Sequence, residues 1–238
     1  MCRFVAFSES GAIKPEIINA MIKSAWKDIY SSSGHHDDGW GFVIYAYNNG
    51  WNRIFYNSSK PIFQDDNVAM LYSIRGEKLT GIIHVRKASK KFLSGVSHSH
   101  PYHIRAGPND LFYAHNGSVS RREFSNPNLP YTDSFMILKT IVEGVESGKG
   151  VIDSLNETMI KIKDYSSSLN SALLVFNEAE GPRLFVYYYY NKSNIREKED
   201  YYKMYRHKSY AFSSTVNYYL GSIGHEMKYD KIEELTAT

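Results

Sequence analysis

Cys2 is the only cysteine among the 238 residues, which excludes an internal disulfide framework and a cysteine-rich zinc site. No apolar run approaches the roughly 18–20 residues that span a bilayer, so no membrane association is expected. The first residues lack the basic and apolar pattern of a secretory signal, and the expected location is the cytoplasm. Charge of one sign is scarce too. The 28 Lys and Arg against 25 Asp and Glu leave a net charge of +3, with no dense basic stripe of the kind that neutralises phosphates, which argues against a nucleic-acid partner. No repeat, linker or shift in composition divides the chain, and residues 1–238 are expected to form one domain.

What is present reads as alternating sheet and helix. Residues 3–7 form a short apolar strand. Pro15 opens a helix in which Ile17, Ile18, Met21, Ile22, Ala25, Trp26 and Ile29 share a buried face. Phe42–Tyr47 and Trp51–Tyr56 flank Asn48-Asn49-Gly50 as a hairpin, and residues 66–76 are weakly helical. Strands follow near 80–85 and 110–115. Helices are expected over 135–147 and 151–164, then strands near 171–177, 183–190 and 209–213. The run Tyr187–Tyr190 suits a strand with aromatic residues on both faces. Strands, then two consecutive helices, then strands again argue for an α+β fold with largely antiparallel sheets and helices outside them.

Four places could carry chemistry. Removal of Met1 would leave Cys2 with a thiol and a free α-amine on one residue. Such an amine titrates at about 7.7–8.0 and can serve as a base beside its own nucleophile. Arg86 ends an apolar strand, where a guanidinium can be fixed to grip a carboxylate bidentately; a surface arginine is the plainer reading. Asn116-Gly117 is the usual signature of a type I′ turn, and the same pair can present two donors to one oxyanion. Thr132 or Asp133 is a natural N-cap for the next helix, and Asp133 is also a candidate for binding substrate. His35-His36-Asp37-Asp38 invites a metal, but adjacent residues on a strand point apart and no other ligand set is near. The plainer reading is a loop entering a strand, with Gly39 and Gly41 allowing close backbone approach. Ser97–Tyr102 reads as a polar loop.

Taken together, Met-Cys-Arg-Phe at 1–4, His-His-Asp-Asp-Gly-Trp-Gly at 35–41, His-Val-Arg-Lys-Ala-Ser at 84–89, His-Pro-Tyr at 100–102, Phe-Tyr-Ala-His-Asn-Gly-Ser-Val at 112–119, Thr-Asp-Ser at 132–134 and Phe-Ser-Ser-Thr-Val at 212–216 resemble the class II glutamine amidotransferases. These are glutaminase domains of the N-terminal-nucleophile hydrolase superfamily, and the short form is similar to stand-alone members such as the ergothioneine-type γ-glutamyl amidohydrolases. The resemblance implies a four-layer αββα sandwich with two antiparallel sheets. It implies Cys2 as nucleophile once Met1 is removed, Asn116 and Gly117 as oxyanion donors, Arg86 at the substrate α-carboxylate and Asp133 at its α-ammonium. Ser89 and the backbone around His100 would line the glutamine pocket. The half-reaction needs no metal or organic cofactor. The chain leaves no room for an appended synthase, so a separate ammonia-accepting synthase subunit is one expected partner. Hydrolysis of another γ-glutamyl amide or peptide is a second reading, and a catalytically silent binding module a third. Lys87 stands where other members often carry Trp, His98 where Asn often precedes His-Pro, and Phe135 where an acidic residue often follows Asp-Ser. These departures bear on substrate identity.

Overall fold

The computed structural model describes residues 2–32, 34–88, 93–195 and 197–237. Twelve strands are named among them: β1 (Arg3–Ala12), β2 (Trp40–Tyr47), β3 (Trp51–Ser58), β4 (Arg75–Val85), β5 (Tyr102–Ala106), β6 (Asn109–Val119), β7 (Ser166–Asn177), β8 (Gly181–Tyr188), β9 (Met204–His207), β10 (Tyr210–Ser213), β11 (His225–Glu226) and β12 (Lys231–Leu235). They build a seven-stranded sheet in the order β11-β9-β10-β1-β4-β2-β3 and a five-stranded sheet in the order β12-β8-β7-β6-β5. The pairings are antiparallel. β1, the strand that leaves Cys2, is the central strand of the larger sheet.

Strand periodicity explains the layering. Along β1, Phe4 and Ala6 face the second sheet, in a cluster with Phe112, Ala172 and Leu184. Val5 and Phe7 point the other way, onto α1 (Pro15–Trp26) and α5 (Ser214–Tyr219). Successive side chains of a strand take opposite faces, so a fully apolar strand requires cover on both sides. The smaller sheet repeats the pattern. Tyr188 and Tyr190 lie between the sheets, whereas Tyr187 and Tyr189 lie under α3 (Asp133–Glu146) and α4 (Val151–Ile162). Tyr45 and Phe176 stack across the middle layer with ring centroids 4.2 Å apart. The result is the expected α+β, four-layer αββα sandwich. No helix among the described residues is long and apolar enough to cross a membrane.

The structure departs from the sequence expectations at several places, and α1 ends before Ile29, which is only partly buried. Trp26 is 56% exposed rather than buried. It is the last residue of α1, on the flank of the stripe formed by Ile17, Ile18, Met21 and Ala25, and packs edge-on against Phe63. Asn116-Gly117 does not make a turn. β6 runs straight through it, with Asn116 opposite Asn170 and Gly117 opposite Leu169 on β7. The weakly helical stretch is short: α2 spans Ala69–Ser73, and Arg75 already begins β4.

Candidate active site

The start of β1 and the end of β4 lie side by side, with Arg3 opposite Val85. This register brings Cys2 to the residues just beyond β4. Cys2 is buried, and the Lys87 backbone brackets its sulfur: Lys87 N–H donates to Sγ at 3.4 Å, and Sγ lies 3.7 Å from the Lys87 carbonyl oxygen.

Arg86 is buried as well. Its Nη2 donates to the Leu93 carbonyl at 2.6 Å, while Nη1 has no hydrogen-bond partner among the described residues. An unsatisfied buried donor costs about 1–3 kcal/mol, more when charged, so this nitrogen calls for a ligand. The residue lines a cavity of about 260 Å³ whose wall also includes Cys2, Lys87, His100, Gly117 and Asp133. That size is near the small end of ligand pockets, which run from about 300 to 1,000 Å³.

Gly117 lines the cavity, and nothing larger than glycine fits at its position against β7. A Cβ at this position would lie 1.9 Å from the Ser168 carbonyl oxygen and 2.7 Å from His115 Nε2. Asn116 is buried behind the wall and is not among its lining residues; its carbonyl accepts from Ser168 Oγ at 2.8 Å. Asp133 opens α3, and Thr132 is the N-cap, its Oγ1 accepting from Phe135 N–H. The half-buried Asp133 carboxylate accepts from Val119 N–H at 2.7 Å and Ser134 N–H at 3.0 Å. The first ties the helix start to the end of β6, and the two together fix the carboxylate of this cavity-lining residue.

His100 lines the same cavity with both ring nitrogens unpartnered among the described residues, its ring packed 4.3 Å from that of His84 and 4.6 Å from that of Tyr102. Burial, aided by the Arg86 charge, pushes His84 and His100 well below the ordinary histidine range. Burial also lowers His115, although Asp133 and the Ser168 carbonyl pull it upward. His115 Nε2 donates to that carbonyl at 3.0 Å, which leaves Nδ1 to accept from Ser134 Oγ at 2.9 Å. The structure thus brings Cys2, Arg86, Gly117, Asp133 and His100 to one cavity and sets Asn116 directly behind it. Ser89 and Met1 lie outside the described residues.

Comparison with known proteins gives the family of the chain. The family model described as class-II glutamine amidotransferases matches residues 1–208. The chain belongs to the class-II glutamine amidotransferases. Among solved structures it is similar to an allosteric regulatory enzyme of purine biosynthesis, with a TM-score of 0.56 and 16% identity over 96% of this chain and 44% of that one. The chain therefore spans less than half the length of that enzyme. It is also similar to a glutamine aminotransferase class-II domain protein from Silicibacter pomeroyi, with a TM-score of 0.52 and 14% identity over 98% of each chain. At these identities the likeness is one of fold. No curated protein matches.

Beneath Cys2 this member of the family holds a buried network that the sequence reading missed. Arg3 is fully buried and directs Nη1 to the carbonyls of Cys2 and Tyr201, both at 3.2 Å, and Nε to Thr215 Oγ1 at 3.1 Å. Its Nη2 lies 2.6 Å from Asp28 Oδ2, an ion pair that falls short of hydrogen-bond alignment. Asp28 also accepts from Thr215 Oγ1 at 2.6 Å and from His36 Nε2 at 2.7 Å. Burial alone would raise the Asp28 carboxyl, but Arg3, His36 and Thr215 outweigh it and hold the group far below the usual range. Burial holds His36 down to about 4, against the upward pull of Asp28. A basic residue inside an otherwise apolar first strand was the available signal. The motif that invited a metal is committed elsewhere: His36 to Asp28, Asp37 to Lys87 Nζ at 3.2 Å, and Asp38 to Ala88 N–H at 2.8 Å. No group of three candidate metal ligands occurs among the described residues.

Proposed function

We propose that this chain hydrolyses the side-chain amide of glutamine, with Cys2 as nucleophile after removal of Met1. The observation that carries the reading is that Cys2, Asp133 and Arg86, whose Nη1 has no partner among the described residues, line one cavity. A zwitterionic amino acid matches this set. Arg86 grips the α-carboxylate, Asp133 takes the α-ammonium, and the γ-amide extends toward Cys2. The freed α-amine, acting through a water, takes the thiol proton, and the thiolate attacks the amide carbon. Gly117 N–H and the Asn116 side-chain amide are the donors we assign to the oxyanion. As the carbon–nitrogen bond breaks, the proton passes to the departing nitrogen and ammonia leaves. Water then attacks the γ-glutamyl thioester, releasing glutamate and regenerating the thiol. Lys87 N–H, already on Sγ, supports negative charge on sulfur throughout. The ammonia goes to a separate synthase chain in this reading.

Intact mass with and without an electrophilic glutamine analogue, together with ammonia release, tests the proposal. Met1 should be absent and one adduct should form at Cys2; Cys2→Ala should neither label nor turn over while keeping its fold. Turnover by Cys2→Ala, or an inert and unlabelled protein with Met1 gone, would overturn the assignment. Activity that appears only with a second protein supports a synthase subunit. A marked preference for larger γ-glutamyl amides over glutamine would redirect the reading to those substrates.

A further inference from the structure

The loop that carries Asp37-Asp38-Gly39 plays no part in the chemistry above, yet it touches the segment that carries both Arg86 and Lys87. We propose that Asp38 is a positioning residue that aims the substrate clamp and the thiol-binding peptide group together. This rests on the reading of Cys2 as nucleophile and Arg86 as clamp. The regular β2–β4 ladder ends at Trp40 opposite Val85. Beyond it, Arg86 N–H still donates to the Gly39 carbonyl at 2.8 Å, and Asp38 N–H donates to the Arg86 carbonyl at 3.1 Å. At the next rung a side chain replaces the strand, and Asp38 Oδ2 accepts from Ala88 N–H at 2.8 Å.

Peptide groups of an extended segment alternate between its two edges. Holding the N–H groups of residues 86 and 88 on the Asp38 side turns the N–H of residue 87 to the opposite edge. There it meets Cys2 Sγ at 3.4 Å. The same two bonds fix the backbone from which the Arg86 side chain reaches the cavity. The loop itself has little freedom. Gly39 has φ +111°, and a Cβ there would lie 2.5 Å from the Ser58 carbonyl oxygen and 2.6 Å from Ser99 Oγ. The neighbouring Lys87–Asp37 pair is solvent-exposed and adds little, so the constraint falls on Asp38.

Asp38→Ala and Asp38→Asn separate this role from simple support of the fold. The Asn Oδ1 can still accept from Ala88 N–H, whereas Ala cannot. Asp38→Ala should lower glutaminase kcat/KM by about tenfold or more, with a higher KM and a lower kcat, because clamp and nucleophile are both misplaced. Alkylation of Cys2 by iodoacetamide should slow in parallel. Asp38→Asn should recover most of both. Equal deficits in the two variants, or an Asp38→Ala enzyme within about twofold of wild type, would overturn the proposal. Should Asp38→Ala fail to fold, a folded Asp38→Asn with a deficit in KM and alkylation does the same. If wild type hydrolyses no glutamine, the glutaminase reading fails by itself. The alkylation rates then decide on Asp38: slowing in Ala but not in Asn supports it, and no slowing in Ala overturns it.

Discussion

Acid should destabilise this fold well before its carboxylates protonate. His36 is fully buried against Asp28 and is held down to about 4, against about 6.5 for an unfolded histidine. Between those values the unfolded chain binds a proton that the native chain does not. Stability therefore rises with pH across this window and falls on acidification, by about 1.4 kcal/mol per pH unit for one such group. For His36 the loss reaches roughly 3 kcal/mol by about pH 4, a large share of the 5–15 kcal/mol typical of a domain. His84, His100 and His115 are shifted in the same direction by burial and steepen the loss. Asp28 acts later. Its depressed carboxyl adds stability that is present above the unfolded value near 4 and is lost only as pH falls below it. Urea unfolding followed by tryptophan fluorescence at pH values from about 7.5 down to about 5 measures the effect. The midpoint should drop steeply below about pH 6.5, and His36→Gln, which cannot titrate, should show a shallower drop. A midpoint that stays flat over that range would refute the argument, because it would mean that the buried histidines accept protons without opening the native fold.

The remaining predictions concern the cavity. Arg86→Ala removes a charge-assisted contact of about 1.5–3 kcal/mol and should raise the glutamine KM by about 10- to 100-fold, with a smaller effect on kcat. Steady-state kinetics decide, and an unchanged KM would remove Arg86 from the clamp role. Gly117→Ala places a methyl 1.9 Å from the Ser168 carbonyl oxygen, so β6 and β7 must part locally. A stability loss of about 1–3 kcal/mol with loss of turnover is expected, and wild-type urea stability would show that the strand contact gives way freely.

Much of the architecture was legible because it rests on local pattern. Pro15 with the apolar stripe behind it defined α1, and the alternating tyrosines at 187–190 marked a strand covered on both faces. The short strands β5, β9, β11 and β12 left little trace, since two to five residues cannot display a period. Asn116-Gly117 misled for a physical reason. Asn-Gly favours a turn by local backbone freedom, but here the glycine answers to a neighbouring strand, and no local pattern reports a backbone that approaches from 51 residues away in sequence. The buried network under Cys2 was hidden for the same reason. Arg3, the α1–β2 loop that holds both Asp28 and His36, and Thr215 are three separate segments, and only the fold unites them.

Accounting for buried polar atoms then separates groups that residue type alone would confuse. Arg3 and Arg86 are both buried arginines at the adjoining ends of β1 and β4. Every nitrogen of Arg3 is engaged, with carbonyls, Thr215 or Asp28. That guanidinium is part of the frame, and removing it would leave Asp28 as an uncompensated buried charge. Arg86 spends one nitrogen on Leu93 and leaves another buried without a partner among the described residues, in a side chain that lines the cavity. The histidines divide the same way. His115 and His100 both line the cavity, but His115 uses both ring nitrogens inside the fold, whereas His100 uses neither among the described residues. A desolvated donor or acceptor left open costs free energy in the empty protein, and a substrate that satisfies it recovers that cost on binding. Other buried atoms are open too, such as His36 Nδ1 and Ser154 Oγ, but among the described residues with an open group it is Arg86 and His100 that line the cavity with Cys2. By this criterion the frame ends and the binding surface begins between residues 3 and 86, two side chains whose strands are hydrogen-bonded neighbours.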